Sequence, residues 1–174
     1  MPKPWEMTLD EFLGRPHVEV VANEYCNPSF TTGVTKLGGK VRHGITVVPG
    51  THGHYALAVA SSGRDARLLY HNAKDEPWRI VGFYEGPTVC IHPKHQGKGL
   101  GLELILFASA LRGGSAVAEY QDEMLFSEAG LGAHVKAHDM AIKRAMEAGE
   151  TVPERVIEDY KDRTGNDRLG RFRL

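Results

Sequence analysis

Five short β-rich runs in series constrain the fold more than any other feature of this chain. They are separated by turns rich in Gly, Pro, Asn, Asp and Ser, which punctuate secondary structure. Connections this short join antiparallel neighbours, because a parallel crossover needs about a dozen residues or more. The sequence therefore predicts an antiparallel sheet in the middle of the chain, built from residues 44–50, 54–60, 66–71, 78–85 and 88–92.

A long apolar helix pattern follows the last run. It extends from near Lys98 to Leu111 and ends at the sequence RGG. Its residues are apolar on nearly every face, which is typical of a helix buried against a sheet. The pattern predicts an α+β fold, with a central mixed, mostly antiparallel twisted sheet flanked by helices.

Helix signals stand at both ends of the chain. Thr8 and Glu11 form a capping box, with Met7 and Phe12 placed for a hydrophobic staple. Towards the other end, residues 130–149 have the spacing of an amphipathic helix. A second, shorter helix follows it, with a proline in its first turn.

The remaining segments carry weaker signals. Residues 17–25 fit either an edge strand or a helical turn, and residues 27–42 are predicted as a loop. Residues 116–120 are predicted as a short strand. We predict one domain over residues 1–130, a helical extension over 131–160, and a flexible basic tail over 161–174.

Composition excludes several classes of protein. The chain has 174 residues, 41% hydrophobic and 25% charged, which suits one globular domain. A net charge of -1 argues against a dedicated polyanion binder. The N-terminus lacks the apolar core of a signal peptide, and no run is long enough to span a membrane. The two cysteines have no zinc or redox spacing, so we expect a cytoplasmic protein without a metal.

Three glycines interrupt the apolar pattern between the last strand and the helix. Gly97, Gly99 and Gly101 alternate with Lys98 and Leu100. A helix N-terminus presents unpaired N–H groups, and missing side chains let an anion approach the backbone. This predicts a phosphate or pyrophosphate site. The spacing matches neither the Walker loop nor the dinucleotide fingerprint.

The sequence from Gln96 to Gly101, QGKGLG, resembles the Q/R-x-x-G-x-G/A motif of the GNAT superfamily of acyl-CoA N-acyltransferases. The match extends over residues 79–111. The resemblance implies a GNAT-like sheet splayed between its fourth and fifth strands, with acetyl-CoA or another acyl-CoA bound there. The main chain of the fourth strand would bind the thioester and the loop would bind the pyrophosphate. The implied CoA-binding residues are Val89, Cys90, Ile91, Gln96, Gly97, Lys98, Gly99, Leu100 and Gly101.

The same resemblance implies direct attack of a primary amine on the thioester. The predicted catalytic residues are Glu85 as a base, and Tyr120 and Ser127 by position. The residues after Gly114 do not match the family's usual tyrosine motif. The alternative is therefore a CoA-binding or interaction module without catalysis.

The acceptor stays open between a small amine, a protein amine and a nucleic acid, either a DNA base or an aminoacyl-tRNA. Residues 129–160 are similar to helical segments of phage and mobile-element proteins, and this similarity favours a nucleic-acid acceptor. The net charge of -1 argues against such an acceptor. The sequence does not decide whether the chain forms a homodimer. No membrane partner is expected.

Several histidines and one cysteine carry two interpretations each. His92 and His95 flank the glycine loop, either as phosphate contacts or as turn residues. His134 and His138 have zinc-compatible spacing without a third ligand, so the ordinary interpretation is the helix surface or a contact with the sheet. Cys90 is either a nucleophile or, by default, part of the core.

Overall fold

The computed structural model describes residues 1–14, 18–21, 45–86, 88–117 and 124–164. Its fold is α+β, with a five-stranded antiparallel sheet flanked by helices, as the sequence predicts. The strands of the described residues are β1 (Val18–Val21), β2 (Thr46–Val47), β3 (Tyr55–Val59), β4 (Ala66–Tyr70), β5 (Arg79–Glu85), β6 (Thr88–Ile91) and β7 (Met124–Ser127). The helices are α1 (Leu9–Leu13), α2 (Leu100–Leu111), α3 (Glu128–Glu147) and α4 (Glu154–Thr164).

The five predicted runs form β2 to β6, and these strands lie in the sheet in chain order. Each pairs antiparallel with the next, because every connection is a short turn. The register shifts between Leu68 and Leu69, where β4 pairs with β5. The strand β6 stands last in this order, and among the described strands it pairs with β5.

The helix α2 packs on one face of this sheet, as its apolar sequence predicts. Leu104, Ile105 and Ala108 are fully buried in the main core. That core also contains Leu57, Leu68 and other sheet residues. Because α2 starts directly after the glycine loop, this packing fixes the loop at the end of β6.

The strands β1 and β7 form a separate parallel pair. Residues 18–21, which fitted a strand or a helical turn, are therefore a strand. The predicted strand over 116–120 is not observed at residues 116–117, which lie in a bend and an irregular segment, and 118–120 lie outside the described residues. The predicted loop over 27–42 lies outside them as well.

The N-terminal segment and the C-terminal helices share a second, smaller core. It is built from Ile142, Ala145, Val156 and Tyr160, with Trp5 packed against it. Polar contacts join the same elements. The Leu9 N–H at the start of α1 donates to the Asp159 carboxylate at 3.0 Å, and Arg155 pairs with Glu11 at 2.5 Å.

The predicted capping box is confirmed at α1. The Thr8 hydroxyl accepts from the Glu11 N–H at 3.3 Å, and the Glu11 carboxylate accepts from the Thr8 N–H at 2.8 Å. At the other end, α4 continues to Thr164, into the segment predicted as a tail. Arg163 explains this extension, since it pairs with Asp139 and Asp159 at 3.2 and 3.3 Å.

Candidate functional site

The loop between β6 and α2 is closed by side chains of its own. The His92 Nδ1 accepts from the Lys94 N–H at 3.2 Å and caps a single 3-10 turn, Pro93–His95. The Gln96 amide then donates to the Ile91 carbonyl at 2.7 Å. This bond joins the two ends of the turn, so the glycines that follow start from a fixed point beside the strand.

Two of the glycines are required by the backbone itself. Gly97 and Gly99 have φ values of +75° and +72°, in the left-handed region that favours glycine. A Cβ atom added at either position would meet nothing within 4 Å. Gly101 differs, because it is helical and its added Cβ would lie 3.6 Å from the Ile91 Cδ1 atom, an ordinary contact. The outer side of the loop is therefore open at Gly97 and Gly99.

The main-chain N–H groups from Gly97 through Gly101 form a run without a hydrogen-bond acceptor among the described residues. Gly99 is the N-cap of α2 and has no side chain to cap it. The first intrahelical bond runs from the Leu102 N–H to the Gly99 carbonyl at 3.0 Å. None of the described residues accepts a hydrogen bond from any main-chain N–H group from Gly97 through Gly101. A run of unpaired donors at a helix N-terminus is a binding surface for an anion.

Positive charge surrounds these donors. Lys94 and Lys98 are exposed and His92 and His95 are half-buried. In the described part of the chain, none of these four side chains pairs with a carboxylate. Burial lowers the pKa of His95, and the charges of His92, Lys98 and Lys94 lower it further. The two lysines therefore give the loop an excess of positive charge.

The strand β6 brings the predicted thioester-binding residues next to the loop. The His92 N–H donates to the Val81 carbonyl at 2.8 Å, and Cys90 lies opposite Phe83. Antiparallel bonding alternates along a strand, so the main-chain groups of Val89 and Ile91 point away from β5. The Ile91 carbonyl agrees with this, because it accepts from Gln96 on that outer side. The Cys90 side chain is only 2% exposed, as expected for core packing.

Two of the three predicted catalytic residues, Glu85 and Ser127, lie in the described part of the chain. Glu85 is at the opposite end of the β5–β6 pair, opposite Thr88, and forms an ion pair with Arg67. Ser127 is the N-cap of α3, where its hydroxyl accepts from the Gly130 N–H at 3.0 Å. Tyr120 lies outside the described residues. Both described candidates therefore already have structural partners.

The structure contains a buried polar network that the sequence patterns did not predict. The Tyr84 hydroxyl lies 2.7 Å from His134 Nε2, and His134 Nδ1 lies 2.6 Å from the Gly130 carbonyl. A carbonyl only accepts, so Nδ1 carries the proton and Nε2 accepts from Tyr84. Tyr84 and His134 are both fully buried. Burial is the main reason that the pKa of His134 is lowered to about 4, and Arg112 adds to the effect.

Arg112 completes this network. Its guanidinium lies 4.4 Å from the centre of the Tyr84 ring. It pairs with the Asp65 carboxylate at 3.0 Å and donates to the carbonyls of Ala116 and Gly86 at 2.7 and 2.8 Å. The spacing of His134 and His138 was visible in the sequence, but the helix-surface interpretation is wrong, because both are fully buried. The alternative, a contact with the sheet, is confirmed for His134.

A cluster of rings lies beside the glycine loop, at the same end of the sheet. The Tyr55 hydroxyl is 2.8 Å from His95 Nδ1, and the Tyr70 ring lies 4.7 Å from the His95 ring. His92 and His54 extend the cluster on either side. Burial, and then the nearby Tyr70, raise the pKa of Tyr55. Tyr55 and Tyr70 therefore support the turn that carries His95.

The described residues lack two features, a metal-binding group and a membrane-spanning helix. They contain no group of three or more His, Cys, Asp or Glu side chains arranged to hold a metal ion. Nor do they include a helix with both the length and the apolar character needed to cross a membrane.

Comparison with known proteins found no matching family model, no matching curated protein and no matching solved structure.

Proposed function

We propose that this protein is an acyl-CoA-dependent N-acyltransferase of the GNAT type, with an acetyl donor and a primary amine acceptor. The observation that carries the proposal is the run of N–H groups from Gly97 through Gly101, which have no acceptor among the described residues. They follow an antiparallel sheet and start a helix buried on that sheet, which is the setting that the QGKGLG motif implies.

The loop fits a pyrophosphate on two further grounds. Nothing lies within 4 Å of an added Cβ at Gly97 or Gly99, so an anion would reach the main chain there. The exposed Lys98 side chain stands between these glycines and adds positive charge. Charge-assisted bonds from main-chain donors are stronger than neutral ones, by about twofold.

An acyl-CoA supplies a thioester carbonyl. The neutral amine would attack its carbon, so that a C–N bond forms, the C–S bond breaks and the proton lost by the amine passes to the leaving CoA thiolate. The chain's own contribution would be to position that carbonyl beside β6. Val89 and Ile91 turn their main-chain groups to the outer edge of this strand, so the Ile91 N–H is a candidate donor to the carbonyl oxygen. Such positioning accounts for a large share of the rate in a direct transfer.

A binding module without catalysis is the second candidate, and a specific observation favours it. Glu85 is paired with Arg67, and Ser127 caps α3. Neither described residue is therefore poised as a base or an acid. A carboxylate paired with an arginine is a weaker base, because the cation stabilises its charged form.

Isothermal titration calorimetry with acetyl-CoA tests the proposal first. We expect saturable binding at micromolar to millimolar ligand, and no binding at millimolar ligand would refute it. Thiol release in the presence of a panel of amines then separates the two candidates. Release that depends on one amine supports the enzyme, whereas binding without release supports the module.

A further inference from the structure

The imidazoles of His92 and His95 lie edge to face at the edge of the glycine loop. His92 and His95 stand at the two ends of the 3-10 turn, with ring centres 5.7 Å apart. Both side chains are half-buried and neither belongs to the QGKGLG motif. They are close enough to bind one small anion between them, since each N–H···O bond would span about 2.9 Å.

Their hydrogen bonds fix which nitrogen each ring presents. The His92 Nδ1 accepts from the Lys94 N–H, so the neutral ring carries its proton on Nε2. The Tyr55 hydroxyl has His95 Nδ1 as its hydrogen-bond partner, at 2.8 Å. Donation by Tyr55 leaves the proton of His95 on Nε2 as well. His92 therefore offers an Nε2–H donor, and His95 offers one in the tautomer in which Tyr55 donates.

The surroundings of the pair favour a strongly charged anion. Lys94 lies between the two histidines in the sequence, and Lys98 acts on His95 through its charge. Among the described residues, no carboxylate pairs with either lysine or with either histidine. A phosphate monoester, which carries nearly two negative charges at neutral pH, matches this set of donors better than a diester.

We propose that His92 and His95 bind the ribose phosphate monoester of coenzyme A, so that the protein distinguishes coenzyme A from dephospho-coenzyme A. This inference rests on the proposed function, in which the main-chain N–H groups of the loop take the pyrophosphate. The monoester is then the remaining anionic group of the ligand, and the imidazole pair lies at the edge of the loop with Lys94 between the two rings in the sequence.

The test compares the dissociation constants of coenzyme A and dephospho-coenzyme A by isothermal titration calorimetry. We expect the parent protein to bind coenzyme A about tenfold or more tightly, the effect of one or two charge-assisted hydrogen bonds. In the double variant His92→Asn, His95→Asn, each Asn Oδ1 replaces an Nδ1 acceptor while the Nε2–H donors are removed. The preference should then fall to about twofold or less, with the affinity for dephospho-coenzyme A unchanged.

His54→Asn is the matched control, because His54 belongs to the same ring cluster but lies beyond Tyr70. It should leave the preference intact. Equal affinity of the parent protein for both ligands would overturn the inference and leave the proposed function standing. Failure of both ligands to bind would instead overturn the proposed function. The comparison in the parent protein needs no variant, so a variant that fails to fold does not remove the test.

Discussion

Acid should unfold this protein partly through the buried His134. A histidine whose pKa is lower in the folded state stabilises the fold fully above its ordinary pKa of 6.5, and this stability is lost as the pH falls towards the folded value of about 4. In that window the unfolded chain binds a proton that the folded chain excludes. At 1.36 kcal/mol per pH unit, the loss is about 2 kcal/mol at pH 5 and about 3 kcal/mol at pH 4.

The variant that isolates this effect is Tyr84→Phe, His134→Leu. Replacing both partners of a buried hydrogen bond by apolar groups is nearly neutral at pH 7, because no polar atom of the pair is left unsatisfied. The Arg112 guanidinium keeps its bonds to Asp65 and Ala116. We therefore expect folded protein at pH 7 with a stability within about 1 kcal/mol of the parent.

The assay is urea unfolding at pH 7 and pH 5, followed by circular dichroism. The free energy of unfolding should fall by about 2 kcal/mol less in the double variant than in the parent. His138, whose pKa is also lowered by burial, remains in both proteins, so its contribution cancels in the comparison. Equal losses in the two proteins would refute the inference that His134 is neutral and hydrogen-bonded to Tyr84 in the fold.

Three further substitutions, two in glycine packing and one in a buried ion pair, can be checked by the same urea titrations. Gly82→Ala should destabilise the fold by about 1–3 kcal/mol, because the added Cβ would lie 2.9 Å from the Cys90 carbonyl oxygen. Gly132 lies in the interior of α3, where an added Cβ would have no described atom within 4 Å. Gly132→Ala should therefore stabilise the fold by about 1 kcal/mol. Reversed signs would contradict the packing described here. Arg112→Met should lower the free energy of unfolding by about 3–5 kcal/mol, because it removes one partner of the buried ion pair with Asp65. A loss below about 1 kcal/mol would argue against the network around Arg112.

Local patterns predicted the sheet and the loop well. Each strand from β2 to β6 is a β-rich run between turn residues, and α2 is recognisable from apolar residues alone. The glycines were equally informative, since the left-handed φ values of Gly97 and Gly99 favour a residue without Cβ. These features depend on neighbours a few residues apart, so the sequence displays them directly.

Contacts between distant residues were not predictable in this way. The strand β7 pairs with β1, more than a hundred residues earlier, and the run MLFS alone does not show its partner. His134 turns inward because Tyr84, 50 positions away, offers it a hydroxyl. The ion pair of Glu85 with Arg67 is likewise a contact that the sequence does not show.

The most direct test of the central claim changes one residue at the start of α2. Gly101→Glu places a carboxylate in the first helical turn, where the helix dipole favours negative charge, so the fold should stay intact. Gly101→Gln has nearly the same size without the charge. If the loop binds the pyrophosphate, acetyl-CoA should bind the Gln variant at least about tenfold more tightly than the Glu variant. Equal affinities of two folded variants would contradict the claim that the N–H groups from Gly97 through Gly101 hold the anion.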